Sequence, residues 1–248
     1  MAKARPRGSS RPAPPADDHW RIPDPPWERL LKLPPPRPHH PLGCHNPRVD
    51  DRKAMDGIFF VLRTGCQWRA LDATGIRGHS SAHRRFQEWT AAGVFVTLGA
   101  EGLQEYDELK GLDWDWLAMD GAMTKAPLGG ERTGRNPTDR GKQGTKRSLL
   151  VEANGVPVGL AVEGANRHDK KLAEATLESL PVERPEPTET KPQGMCLDKG
   201  YDYDDTRELV REFGFTAHAR ARGEEAKALK REAGFKARRW WWSERMAG

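Results

Sequence analysis

The chain has 248 residues, 36% of them hydrophobic and 31% charged, with a formal net charge of +5. That length accommodates one large domain or two small ones. No apolar run approaches the roughly 18 residues of a membrane span, and a pI near 9.2 points to an anionic partner.

The first residues, Met1 to Pro15, place Lys3, Arg5, Arg7 and Arg11 among Pro, Ala, Gly and Ser. They lack the apolar centre of a secretory signal, so residues 1–17 read as a disordered basic tail. The proline-rich stretch Pro23 to Pro47 has room for one short helix over Trp27–Leu33 and is otherwise extended. Cys44 lies near His39, His40 and His45, but the second cysteine of a usual zinc pair is missing. Three widely spaced cysteines do not suggest a disulfide framework and fit a cytoplasmic protein.

From Val49 the pattern becomes helical. Ala54, Ile58, Val61 and Leu62 recur at helical spacing behind a cap at Asp50 or Asp51, and Thr64-Gly65 ends the helix. Ser80 or Ser81 can cap a second helix running to Gly93, and a third extends from Val94 to about Leu109. Phe86 and Trp89 can face inward on the second helix, with Arg84, Arg85 and Gln87 in solvent. Residues 18–110 thus form a small helical module. It is compatible with helix-turn-helix DNA recognition and equally with an ordinary bundle bearing a solvated face.

Beyond Leu112 the pattern turns to strands: Trp114–Asp120, Ser148–Glu152, Val156–Val162, Met195–Asp198 and Phe215–Ala219. Asn154-Gly155 marks a hairpin. Helices are expected over Asp169–Leu180, with Asp169 as its N-cap, and over Asp204–Phe213. The order β-β-β-α-β-α-β describes a mixed α/β sheet with helical crossovers over residues 111–248.

Asp120 and Asp198 each end an apolar run and precede glycine by one or two residues. On neighbouring strands their carboxylates would converge and repel unless they shared a divalent cation. Each alone is equally the mark of a strand-end turn or a cap. Basic segments lie around them: Arg135 to Arg147, with Lys142, Lys146 and Arg147, and the tail with Arg238 and Arg239 before Trp240-Trp241-Trp242. Such segments suit DNA phosphates and unstacked bases, or are simply solvated. Lys199 and Tyr201, beside Asp198, could touch a substrate backbone or pack locally. His168-Asp169 could be a site pair.

Together these motifs resemble the transposases of the bacterial IS5 group (IS4/IS5-like), within the DDE transposases. The resemblance is carried by Leu62-Arg63-Thr64-Gly65-Cys66-Gln67-Trp68-Arg69, Arg84-Arg85-Phe86-Gln87-Glu88-Trp89, Asp120-Gly121, Asn136-Pro137-Thr138-Asp139-Arg140-Gly141-Lys142, Gly164-Ala165-Asn166-Arg167-His168-Asp169 and Leu197-Asp198-Lys199-Gly200-Tyr201-Asp202. It implies an RNase H-like fold preceded by a helical DNA-binding module. It also implies Mg²⁺-dependent (or Mn²⁺-dependent) cleavage and strand transfer at insertion-sequence ends, by a homodimer in a synaptic complex at the nucleoid. Asp120 and Asp198 would be the first two metal-binding, catalytic acids and Glu244 the third. Arg84, Arg85, Lys142, Lys146, Arg147, Lys199, Arg238 and Arg239 would meet DNA.

The pattern departs at Arg238-Arg239-Trp240, where one residue too many precedes Glu244. One added residue turns a helical position by about 100°. The family continues into a further helix, whereas this sequence stops at Met246-Ala247-Gly248. The expectation is therefore a truncated C-terminus with Glu244 weakly held. The alternative function is an inactive fragment that only binds DNA.

Overall fold

A computed structural model describes residues 19–36 and 48–218. The calls on Cys44 and its neighbouring histidines, on Arg238 and Arg239, and on Glu244 lie outside these residues. The chain divides into two compact units, residues 1–101 and 102–248. Among the described residues, no helix is long and apolar enough to cross a membrane.

The first unit is helical: α1 (Asp24–Leu30), α2 (Asp51–Thr64), α3 (Leu71–Thr74), α4 (His79–Ala91) and the start of α5 (Val94–Lys110). α1 begins three residues before the expected Trp27, because Pro25 and Pro26 sit in its first turn, where a missing N–H costs nothing. α2 starts and stops where its residues dictate. The Asp50 carboxylate accepts the Lys53 N–H at 3.1 Å, and Gly65 takes a left-handed φ of 65°. α4 begins at His79, before either expected serine. Its cap is tertiary: the Asp72 carboxylate accepts the His79 N–H at 2.9 Å and lies 2.6 Å from His79 Nδ1. Leu30, Ile58, Leu71, Ala82 and Trp89 form the core of this unit, with the Trp68 and Phe86 rings in tilted contact at its edge, 5.3 Å between ring centroids.

The second unit is built on a six-stranded sheet: β1 (Trp116–Lys125), β2 (Gly134–Arg135), β3 (Gln143–Glu152), β4 (Pro157–Gly164), β5 (Gly194–Leu197) and β6 (Thr216–His218). β3 lies antiparallel between β1 and β4, while β5 runs parallel to both β1 and β6. The spatial order of the five main strands is therefore β4-β3-β1-β5-β6. Between β4 and β5 lie a 3₁₀ turn (Asp169–Leu172) and α6 (Ala173–Glu178), and α7 (Asp204–Glu212) links β5 to β6. This mixed sheet, three antiparallel strands continued by two parallel ones, is the RNase H-like arrangement.

One face of the sheet carries the core. Leu117, Met119, Leu150, Met195 and Leu197 pack with Leu177, Val210 and Tyr201. β3 and β4 are joined through Asn154-Gly155, with Gly155 at φ 85°. Beneath that hairpin the fully buried Glu152 carboxylate accepts N–H donors from Asp113 (3.0 Å), Asn154 (3.0 Å) and Val156 (2.9 Å). These bonds offset the cost of burying the charge.

Two strands are longer than their sequence suggests. β1 does not stop at Asp120 but continues to Lys125, because β3 pairs with it along its whole length, from Leu117↔Glu152 to Lys125↔Gly144. β3 likewise starts at Gln143 rather than Ser148, so Lys146 and Arg147 belong to a strand and point to opposite faces.

Candidate active site

β5 pairs with β1 only as far as Met119↔Leu197. The ladder closes with the Asp198 N–H donating to the Met119 carbonyl at 3.3 Å. Asp120 and Asp198 are thus the next residues on two adjoining parallel strands. Alternation along both strands sends their side chains to one face, the face of Ala118 and Cys196 and opposite the apolar core. Asp120 is exposed and Asp198 half-buried.

Local capping does not explain either residue's position. Asp198 precedes a 3₁₀ turn (Lys199–Tyr201), yet its side chain makes no capping hydrogen bond. Asp120 sits within a strand, with one carboxylate oxygen 2.8 Å from the Gly121 N–H. Two carboxylates at the end of a parallel ladder form a donor set of oxygen atoms that suits a hard divalent cation. Among the described residues no group of three or more His, Cys, Asp or Glu side chains is arranged to hold a metal.

Glycines beside both acids have a steric role. A Cβ on Gly121 would lie 2.4 Å from Asp169 Oδ1, and one on Gly200 would lie 2.6 Å from Asp169 Oδ2. Asp169 is not the N-cap of its helical turn; His168 holds that position, its ring accepting the Lys170 N–H at 3.4 Å. Asp169 turns inward, where Lys146 Nζ lies 3.1 Å from its Oδ1. Beside them the buried Tyr201 hydroxyl donates to Ser148 Oγ at 2.7 Å, and Thr176 Oγ1 lies 2.7 Å from the same atom. Burial drives the Tyr201 pKa far above its ordinary value, and the negative charges of Asp169, Asp120 and Asp198 push the same way. Tyr201 is fully buried with its hydroxyl engaged within the chain, as its local-packing reading expects.

The basic residues divide into two groups. Arg84 on α4, Arg147 on β3 and Lys199 after Asp198 are exposed. Lys142 is exposed as well, at the tip of the β2–β3 hairpin. That tip is ordered by the Asn136 side-chain oxygen, which accepts from the Thr138 N–H (2.9 Å) and hydroxyl (2.8 Å). Arg85 and Lys146, expected to meet DNA, are instead buried and engaged within the chain. Arg85 pairs with Asp51 and with Glu88 (3.2 Å) and lies over the Trp89 ring, while Lys146 pairs with Asp169. The spacing of Ala82, Arg85 and Trp89 already places Arg85 on the inward stripe of α4. Asp169 was legible as half of a His168-Asp169 pair, but not as the partner of Lys146, since an acid opening a helical turn ordinarily caps it.

The sheet order defines an RNase H-like domain, preceded in the chain by a helical module. The family model for transposases of the IS4/5 family matches residues 22–98, and that for the transposase DDE domain matches residues 67–241. The chain belongs to the DDE transposases of the IS4/5 group. It is 32% identical over 122 residues to an uncharacterized 16.2 kDa protein of insertion element IS402 from Burkholderia cepacia, covering 49% of this chain and 79% of that protein. It is 33% identical over 89 residues to the protein assigned as the IS402 transposase, covering 35% of this chain and 42% of that protein. The solved catalytic domain of Mos1 mariner transposase aligns with a TM-score of 0.31 at 11% identity, over 60% of this chain and 78% of that one.

Proposed function

We propose that this DNA transposase cleaves the ends of its own insertion sequence and joins them to target DNA, using Asp120 and Asp198 to hold divalent cations, with Mg²⁺ as the physiological ion and Mn²⁺ as a substitute. The observation that supports this reading is the register that makes these two acids the next residues after the last parallel pair of β1 and β5, Met119↔Leu197. Bound there, such an ion would supply charge neutralisation at the phosphodiester and a lowered pKa for its attacking oxygen. Glu244 is the third acid in this proposal, on the strength of its motif.

The chain's own residues have separate tasks. Asp120 and Asp198 present oxygen ligands from one sheet face. Arg147, two positions along that face from the β3 partner of Asp120, and Lys199 beside Asp198 would bind phosphates flanking the scissile bond. Lys142 would contact the backbone from its hairpin tip, with Arg238 and Arg239 contributing by motif. Arg84 would bind DNA from α4, where an opening of about 480 Å³ is lined by Arg48, Arg77, Ser81 and Arg84 among others. The synaptic complex would be a homodimer acting at the bacterial nucleoid.

The test uses the full chain, DNA carrying the natural flanks of its gene, and Mg²⁺ or Mn²⁺. Nicking at the element boundary that disappears in both Asp120→Asn and Asp198→Asn supports the proposal. Boundary binding without cleavage in the parent overturns it and leaves a DNA-binding protein without strand chemistry.

A further inference from the structure

We propose that Asp169, anchored by Lys146, is a positioning residue that holds together the two chain segments carrying Asp120 and Asp198. This rests on the reading of those two acids as the cleavage centre. Asp169 belongs to neither segment; it arrives from the turn after β4. Its carboxylate nevertheless occupies the side-chain space of two glycines at once. Gly121 is the residue after Asp120, and Gly200 is two residues after Asp198; a Cβ on them would lie 2.4 Å from Oδ1 and 2.6 Å from Oδ2, respectively.

A planar group with one oxygen toward each segment fills a gap that any larger residue at either glycine would close. Lys146 fixes that plane. Its ammonium lies 3.1 Å from Oδ1, and its side chain is only 9% exposed. It also balances a third negative charge close to two acids that already repel each other. The Tyr201 hydroxyl, 3.4 Å from the same added Cβ on Gly121, closes the remaining side of the gap through its bond to Ser148. The two segments are therefore wedged at a fixed spacing from the core side, while the Asp120 and Asp198 side chains lie on the other face. Residues that orient ligands in this way, without binding the metal, typically change metal affinity or activity by about 10- to 100-fold when replaced.

The test avoids a buried charge left alone by replacing both members at once, with Asp169→Asn/Lys146→Met in the full chain. Hydrogen–deuterium exchange is read at the amides of Asp120–Gly121 and of Lys199–Tyr201. Exchange about tenfold faster at both segments, with other core amides at parent rates, is the expected result. Gly121→Ala displaces the carboxylate from the other side and is expected to loosen Lys199–Tyr201, a segment remote in sequence. Parent exchange at both segments in the folded double variant, or a Gly121→Ala effect confined to β1, overturns the proposal. A parallel Mn²⁺ titration by electron paramagnetic resonance should show half-saturation raised about tenfold in the double variant. If the parent chain takes up no Mn²⁺, the assignment of Asp120 and Asp198 to a metal centre fails, while the exchange result still decides the role of Asp169.

Discussion

The N–H of Asp198 donates to the carbonyl of Met119 at 3.3 Å, the last bond of the short parallel ladder between β1 and β5. Because that ladder ends there, the residue after Met119 and the residue after Leu197 emerge side by side. Both are aspartates.

Asp120→Asn and Asp198→Asn should each lower strand cleavage by about a thousandfold or more, equivalent to about 4 kcal/mol of barrier. Neither should shift the melting temperature substantially, since neither side chain belongs to the core. Boundary nicking and thermal melting, measured on the same preparations, check both halves. Asn variants that cleave at parent rates would exclude this pair from the chemistry.

Arg84 and Arg85 are adjacent in sequence and should behave oppositely. Arg84→Ala is expected to reduce the slope of log binding constant against log salt by about one, with folding unaffected. Arg85→Ala removes the buried partner of Asp51 and the guanidinium over Trp89, while Glu88 keeps Arg48 at 2.7 Å, so it should cost about 3 kcal/mol of stability. Urea melts and salt-dependent DNA binding separate the two effects.

Glu152→Ala removes the fully buried carboxylate that accepts from the half-buried Asp113 and Val156 N–H groups and from the exposed Asn154 amide. A loss of about 3 kcal/mol is expected, since each unsatisfied buried group costs about 1–3 kcal/mol and water can reach some of them. Chemical denaturation of parent and variant measures it. A loss below about 1 kcal/mol would show that the hairpin relaxes around the change.

Asp56 lies on the buried side of α2, and burial raises its pKa above the ordinary carboxylate value. Arg52, the Ile22 N–H bond and Arg21 oppose that rise without cancelling it. A raised native pKa means the native state binds this proton more tightly than the unfolded chain does. The ionised form therefore destabilises the fold, a cost absent below the unfolded pKa near 3.8 and complete once pH passes the native value. Asp56→Asn should flatten this part of the pH–stability profile, raising stability relative to the parent as pH climbs through that window. Melting curves across the acidic range provide the comparison.

Gly159 on β4 lies so close to α6 that an added Cβ would fall 2.7 Å from the Thr176 carbonyl oxygen and 3.1 Å from Ser179 Oγ. Gly159→Ala must lift α6 from the sheet, at a cost of about 2 kcal/mol. A folded variant with parent stability would mean that α6 shifts at little expense.

Much of this architecture can be read along the chain because local chemistry specifies it. The Asp50 cap and Gly65 stop delimit α2, Asn154-Gly155 makes the β3–β4 turn, and the strand–helix order after Leu112 implies a mixed sheet. The two aspartates stand out for the same reason, as acids closing apolar runs. Other features depend on partners distant in sequence. Asp72 caps α4 from another helix, ahead of the serines that local propensity favours. Pairing with β3 carries β1 five residues past Asp120, where the following glycine suggests an end. Arg85 and Lys146 look like phosphate ligands in a basic sequence, but the inward stripe of α4 and the alternation of β3 bury them against carboxylates.

By itself, then, the sequence determined most of the elements and their order and singled out the two aspartates as candidates, because capping, periodicity and motif spacing act between near neighbours. Only the tertiary structure decided that Asp120 and Asp198 share one sheet face, and that Asp169 fills the space left by Gly121 and Gly200. Strand register and close packing arise between segments far apart in the chain, where no local pattern records which side chain will meet which glycine.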